Sequence, residues 1–229
     1  MKTIGLVGGL TWHSTIEYYR IINETVYERA GGDEAAKIIL NSVNYGEIKK
    51  LTHAGDWKSI SSIICFAARQ TEIAGADCML LGANTMHHIA GEVQSVINIP
   101  LIHIADATAK QIQTYNLKTV ALLGTKYTMK FDFFKNRLAA FNINTMIPDD
   151  EDVETINSSI YNELGKGIFL QETKQKYLTI INKLIGEEAG GVILGCTRIP
   201  LLIQQQDVSV PVFDTTFIHA TAAVDFALE

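Results

Sequence analysis

The chain has 229 residues and a mass of 25.3 kDa, room for one large domain or two small ones. Hydrophobic residues make up 47%, charged residues only 19%, and mean hydropathy is +0.13, which excludes a disordered or fibrous chain. A net charge of -6 with a pI near 5.5 and no basic tract argues against nucleic acid or an anionic membrane surface as partner.

Short apolar runs alternate with longer segments of helical period, the pattern of βαβ units on a parallel sheet. The first strand, residues 3–7, begins almost at Met1 and leaves no room for a signal peptide, so the expected compartment is the cytoplasm. Ser14 with Glu17 then fits a capping box opening a helix whose apolar positions are Ile16, Tyr19, Ile22 and Val26, stopped by Gly31-Gly32. Further strands are expected at 37–43, 78–81 and 101–104, with helices at 57–74, 86–96 and 105–115. A second set follows, with strands at 119–123, 144–147, 191–194 and 210–213 and helices at 128–140, 153–164, 171–188 and 216–227. No stretch approaches the ~20 uncharged apolar residues that span a membrane.

The two sets are copies of one another. Lys2-Thr3-Ile4-Gly5-Leu6-Val7-Gly8-Gly9 matches Lys118-Thr119-Val120-Ala121-Leu122-Leu123-Gly124-Thr125 at a shift of 116 residues. Met79-Leu80-Leu81-Gly82-Ala83-Asn84 matches Val192-Ile193-Leu194-Gly195-Cys196-Thr197 at 113, and Ile99-Pro100-Leu101 matches Val210-Pro211-Val212 at 111. The expectation is an α/β fold of two similar doubly wound domains, each with a mainly parallel four-stranded sheet, related by pseudo-two-fold symmetry. The closing segment repeats the fourth strand and is expected to return to the first domain, giving 1–104 plus 208–229 and 105–207. Ligands bind outside the carboxyl ends of parallel strands, so loops 8–15, 82–87, 124–128 and 195–198 are expected to line a shared cleft.

Three cysteines without a CxxC pair support neither a disulfide framework nor a zinc site. Cys196 ends a buried-strand pattern beside small and hydroxyl residues, where a thiol can act as nucleophile or base; it also reads as a small hydrophobe finishing a strand. Cys65, on an apolar helix face, and Cys78, at a strand start, read as packing residues. In the loop mirroring Cys196, Asn84 and Thr85 offer donors to a carboxylate. His87, the titrating group nearest neutral pH there, is either a proton donor or a helix-capping or solvent-facing side chain. Gly8-Gly9-Leu10-Thr11 lacks the spacing of a nucleotide loop, and Gly124-Thr125-Lys126-Tyr127-Thr128 adds hydroxyls and a cation to its counterpart. Lys166, between Gly165 and Gly167, either pairs with an anion at the cleft or is a solvated loop lysine.

On these segments, together with His103-Ile104-Ala105-Asp106-Ala107-Thr108, Leu122-Leu123-Gly124-Thr125-Lys126-Tyr127-Thr128-Met129 and Pro211-Val212-Phe213-Asp214-Thr215, the chain resembles the aspartate/glutamate racemases, cofactor-independent amino-acid racemases. The resemblance covers nearly the whole chain and implies inversion at Cα in an interdomain cleft, one thiol removing a proton while another returns one from the opposite face. It implies a dicarboxylic amino-acid substrate, carboxylate recognition by Thr11, Asn84, Thr85, Thr125, Thr128, Lys166 and Thr197, and a homodimer. No metal or pyridoxal cofactor is expected, because the chain has no ligand cluster and no evident Schiff-base lysine setting.

Two positions depart from the family. Its first catalytic cysteine falls on Ala83, which cannot exchange a proton, and the glutamate usual after Cys-Thr is Arg198. Arg198 is expected to lower the Cys196 pKa, hold a substrate carboxylate or face solvent, with His87 and Tyr127 as further auxiliaries. The alternatives are a single-thiol decarboxylase of the arylmalonate type, an inactive amino-acid-binding protein, or an Ala83 introduced to trap a ligand.

Overall fold

The computed structural model describes residues 1–229 and divides them into two compact units, Met1–His103 with His219–Glu229, and Ile104–Ile218. Each unit carries its own all-parallel sheet.

In the first unit β1 (Ile4–Gly8), β2 (Ile38–Ser42) and β3 (Cys78–Leu81) lie in the order β2-β1-β3. The expected fourth strand is reduced to one parallel bridge, Met79 with Leu101, held by Met79 N–H to Pro100 C=O (2.9 Å) and Ile102 N–H to Met79 C=O (3.0 Å). It goes no further because Ile104 already begins a helix. In the second unit β4 (Thr119–Gly124), β5 (Asn144–Met146), β6 (Val192–Gly195) and β7 (Val212–Asp214) lie in the order β5-β4-β6-β7. Counting the Leu101 bridge, both sheets run second, first, third, fourth, and Val192 N–H bonds Pro211 C=O (2.9 Å) as Met79 bonds Pro100. The sequence repeat is therefore also a repeat of topology.

Alternation along the central strands loads both faces of each sheet, as parallel sheets with helices on both sides require. Ile4, Leu6, Cys78 and Leu80 pack with Tyr18, Ile22 and Val26 of α1 (Trp12–Ala30) and with Ala220, Ala223 and Val224 of α10 (Thr215–Leu228). Val7, Met79 and Leu81 pack on the opposite face with Ile48 of α2 (Tyr45–Ala54), Ile60 and Ile64 of α3 (Trp57–Ile73) and Val93 of α4 (Ala90–Val96). In the second unit Val120, Leu122, Ile193 and Phe213 meet α5 (Ile104–Thr114) and, past the short α6 (Lys126–Lys130), α7 (Asp132–Ala140). Ala121, Leu123, Val192 and Leu194 meet α8 (Asp150–Asn162) and α9 (Gln171–Gly186). No helix is long and apolar enough to cross a membrane.

Several boundaries differ from the sequence reading, each for a local reason. Helix α1 opens at Trp12, with Thr11 rather than Ser14 as its cap, and Glu17 bonds Arg20 instead of closing a box. Its inward face is Tyr18, Ile21, Ile22 and Val26, while Ile16 and Tyr19 are exposed. The helix expected over 128–140 breaks at Phe131, whose backbone is extended (φ -74°, ψ 151°). The return to the first unit falls at 218/219 instead of 207/208, because β7 pairs with β6 (Val192 with Val212, Ile193 with Phe213, Leu194 with Asp214).

Candidate functional site at the strand ends

In the first unit β1 ends in Gly8-Gly9, and Gly9 sits at φ 75°, where a Cβ would lie 2.1 Å from the Val43 carbonyl oxygen. Only glycine lets the chain turn there, and Thr15 Oγ1 accepts the Gly9 N–H at 2.8 Å. Thr11 then caps α1 by accepting the Ser14 N–H at 3.3 Å, its hydroxyl 3.1 Å from the Ser14 hydroxyl. The neighbouring strand β3 runs into Gly82, whose N–H bonds the Val7 carbonyl at 2.9 Å, and on into extended Ala83 (φ -155°, ψ 138°) and a 3-10 turn, Asn84–Ile89. Because β1 and β3 are adjacent and parallel, Thr11, Ala83, Asn84 and Thr85 gather at one carboxyl edge, Asn84 buried and Ala83 and Thr85 half-buried.

His87 turns into the core of this unit instead of outward. It is 1% exposed, and its Nδ1 lies 3.1 Å from the Ala83 carbonyl; a carbonyl only accepts, so Nδ1 carries the proton and the buried Nε2 is left as an acceptor without a partner. Its ring meets His103 edge-on at 4.7 Å and His219 at 5.2 Å. His219 donates Nε2–H to the Ile102 carbonyl (2.7 Å), so its Nδ1 accepts the Tyr18 hydroxyl (2.7 Å). Burial pushes the His219 pKa down to about 4 and, with the charges of His103 and His219, holds His87 well below the ordinary histidine range. Both rings are neutral at pH 7. His87 is thus no cationic proton donor but a strut holding the backbone at position 83. His103 and His219 carried no signal strong enough to single them out, because they meet His87 only through the fold.

This cluster sets an acid limit on stability. An unfolded histidine takes up a proton below about pH 6.5 while buried neutral His219 refuses it until about pH 4. Its contribution is present in full above about pH 6.5 and lost as pH falls, up to about 3 kcal/mol at pH 4. Denaturant midpoints should drop across that window, and His219→Gln should flatten the slope; equal slopes for the two proteins would refute the assignment.

In the second unit β4 and β6 pair at Gly124 and Gly195, and a Cβ on Gly124 would lie 2.8 Å from the Gly195 carbonyl oxygen, so the two strand ends close up as only glycine permits. Thr125 caps α6 as Thr11 caps α1, with the Thr128 N–H at 3.3 Å and the two hydroxyls 3.1 Å apart. The duplication thus reaches the hydroxyl pairs of the loops. Thr128 is buried, half-buried Tyr127 packs edge-on against Phe131, and Lys126 is drawn to the surface by an ion pair with Glu154. Cys196 leaves β6 half-buried and enters a turn closed by Ile199 N–H to Cys196 C=O (3.1 Å), with Thr197 and Arg198 buried. Burial raises the Cys196 thiol above its ordinary range; the backbone N–H groups of Arg198 and Ile199 and the guanidinium oppose that shift. Asp214, at the end of β7, adds to it and caps the start of α10 through the Thr216 and Phe217 N–H groups. Cys78 is fully buried with its thiol pushed up to about 11, and Cys65 packs at the edge of the first unit's core. Lys166 is exposed, at the end of a 3-10 turn (Leu164–Lys166) that follows α8. No three His, Cys, Asp or Glu side chains are grouped to hold a metal ion.

The family model for Asp/Glu/Hydantoin racemases matches residues 7–223. The chain belongs to that family. Among solved structures it is similar to one from Yersinia pestis described as a candidate Asp/Glu racemase, with 46% identity, 100% of both chains covered and a TM-score of 0.94. It is also similar to an aspartate racemase homologue from Pyrococcus horikoshii OT3, with 36% identity, 100% of both chains and a TM-score of 0.88. The broad specificity amino-acid racemase RacX of Bacillus subtilis is 24% identical over 169 residues, covering 74% of this chain and 73% of that protein. Family membership carries a racemase-type isomerase and small amino-acid substrates; the pyridoxal-independent reading is consistent with it.

Proposed function

We propose that the protein acts on aspartate or glutamate by exchanging the Cα proton, with Cys196 as its acid/base thiol. The observation that carries this is the thiol itself. Cys196 stands at the carboxyl end of a central strand, half-buried, in a turn whose N–H groups favour a thiolate, within a chain of the racemase family. Thr11, Asn84, Thr85, Thr125, Thr128, Thr197 and Lys166 are proposed to bind the substrate carboxylates and the enolate that develops as the proton leaves. Tyr127 and Arg198 are auxiliaries of the Cys196 side. A cytoplasmic homodimer belongs to the same proposal.

Ala83 makes the two faces of the substrate unequal. Its methyl group moves no proton, and His87 keeps its Nδ1 proton on the Ala83 carbonyl, which leaves water to serve the opposite face. The enantiomer whose Cα–H faces Cys196 should therefore take deuterium from D2O faster than it inverts. Each enantiomer of aspartate and glutamate is incubated in D2O and followed by NMR and chiral chromatography. Deuterium in none of the four compounds would sink the reading, and free enantiomers should still reach equal amounts given time.

A single thiol, with alanine at the position of the second, also suits a decarboxylase, in which loss of CO2 creates the enolate and Cys196 protonates it. CO2 release from substituted malonates, without wash-in into amino acids, would favour that reading. Aspartate binding with neither reaction would indicate a binding protein.

A further inference from the structure

Arg198 is 8% exposed, an unusual place for a guanidinium, and burying it is costly unless its donors are used. Its Nε–H donates to the Leu164 carbonyl at 3.1 Å, and its guanidinium carbon lies 5.4 Å from the centre of the Phe169 ring. Both partners belong to the segment that carries Lys166. Leu164 is fully buried in the core behind β6, and its carbonyl also accepts the Gly167 N–H at 3.1 Å. Gly167 is left-handed (φ 77°), and Gly165 sits where a Cβ would be 2.8 Å from the Ile160 carbonyl oxygen, so the path of this loop is narrowly fixed. Beyond it Ile168, Phe169 and Leu170 are all partly open to solvent, 43%, 39% and 47% exposed, giving the loop little core of its own to hold it. The backbone of Arg198, meanwhile, belongs to the turn that closes on Cys196.

We propose that Arg198 is a positioning residue that couples the seating of the Lys166 loop to the state of the Cys196 thiol. Its main chain faces the thiol and its side chain grips the loop, so a displacement at either end is felt at the other. A seated loop keeps the positive charge beside the sulfur; a released loop frees the guanidinium to swing away. The proposal deepens the assignment of Cys196 and Lys166 to one substrate, but its first two readouts need no turnover.

The test uses the full chain with Arg198→Leu, Arg198→Lys and Arg198→Gln. Hydrogen exchange of the amides at 164–170 reports the loop, and the pH midpoint of iodoacetamide alkylation, read by mass spectrometry on the peptide containing Cys196, reports the thiol. In Arg198→Leu the loop amides should exchange at least several-fold faster and the alkylation midpoint should move upward by about one unit, roughly a tenfold loss of thiolate at neutral pH. Arg198→Lys keeps the charge without the flat fork and should loosen the loop while moving the midpoint less. Should the leucine variant lose its circular dichroism, Arg198→Gln supplies the same two readouts with the charge removed. Unchanged loop exchange overturns the tether, and a loosened loop with an unmoved midpoint overturns the coupling. If the wild-type protein washes no deuterium into substrate, the racemase reading fails while both readouts still decide this one.

Discussion

A Cys196→Ala variant should lose deuterium wash-in at Cα by about 10²- to 10⁴-fold, the range by which a positioned acid/base group accelerates proton transfer. Donors proposed for the carboxylates lie elsewhere, on Thr11, Asn84, Thr85 and Thr125, so aspartate should bind with little change in Kd. Cys196 is half-buried against the core formed with α8 and α9, and removal of its sulfur leaves the chain folded at a cost on the order of 1 kcal/mol. Loss of exchange with retained binding, measured by NMR and calorimetry on one preparation, separates the chemistry from the fold. Exchange within twofold of wild type would remove Cys196 from the reaction.

The reciprocal change should add what the chain lacks. Ala83 is half-buried with extended backbone, a conformation open to any side chain, so Ala83→Cys introduces a thiol without strain. Inversion of aspartate or glutamate should then rise by about 10²-fold or more, and wash-in and inversion should approach equal rates, since each face has its own proton carrier. The equilibrium mixture stays equal, because a catalyst alters only the rates. An unchanged ratio of wash-in to inversion in the variant would show that position 83 does not face Cα.

The two halves were legible in the sequence because strand ends obey local rules. A buried parallel strand needs a run of branched residues, and the glycine at its end marks a close approach, so Gly82, Gly124 and Gly195 point to the loops that hold Ala83, Thr125 and Cys196. Helix α2 escaped notice because Ile48 and Thr52 are its only buried side chains, too few to show a period. The inward face of α1 was read through Ile16 and Tyr19, yet Tyr18 is the buried residue, and its hydroxyl is satisfied by His219, 201 positions away. Hydropathy cannot reveal such a partner. His87 is the same case, a titratable side chain in a promising loop whose role is decided by two other histidines.

The chain leaves its first unit after His103 and re-enters it only at His219, within its last helix. Ala220, Ala223 and Val224 cover Ile4, Leu6 and Tyr18, while Lys2 N–H bonds the Ala227 carbonyl at 2.9 Å and Arg29 pairs with Asp225. On the ribosome, residues 2–29 therefore wait for residues 219–229. The second unit is contiguous and can complete its core as soon as it emerges, whereas the face of the first sheet that carries Ile4 and Leu6 has only α1 over it until residues 219–229 are made. A nascent chain stopped at Ile218 would hold a finished second half and an unsealed first one, so the closing eleven residues act as the latch of the amino-terminal half.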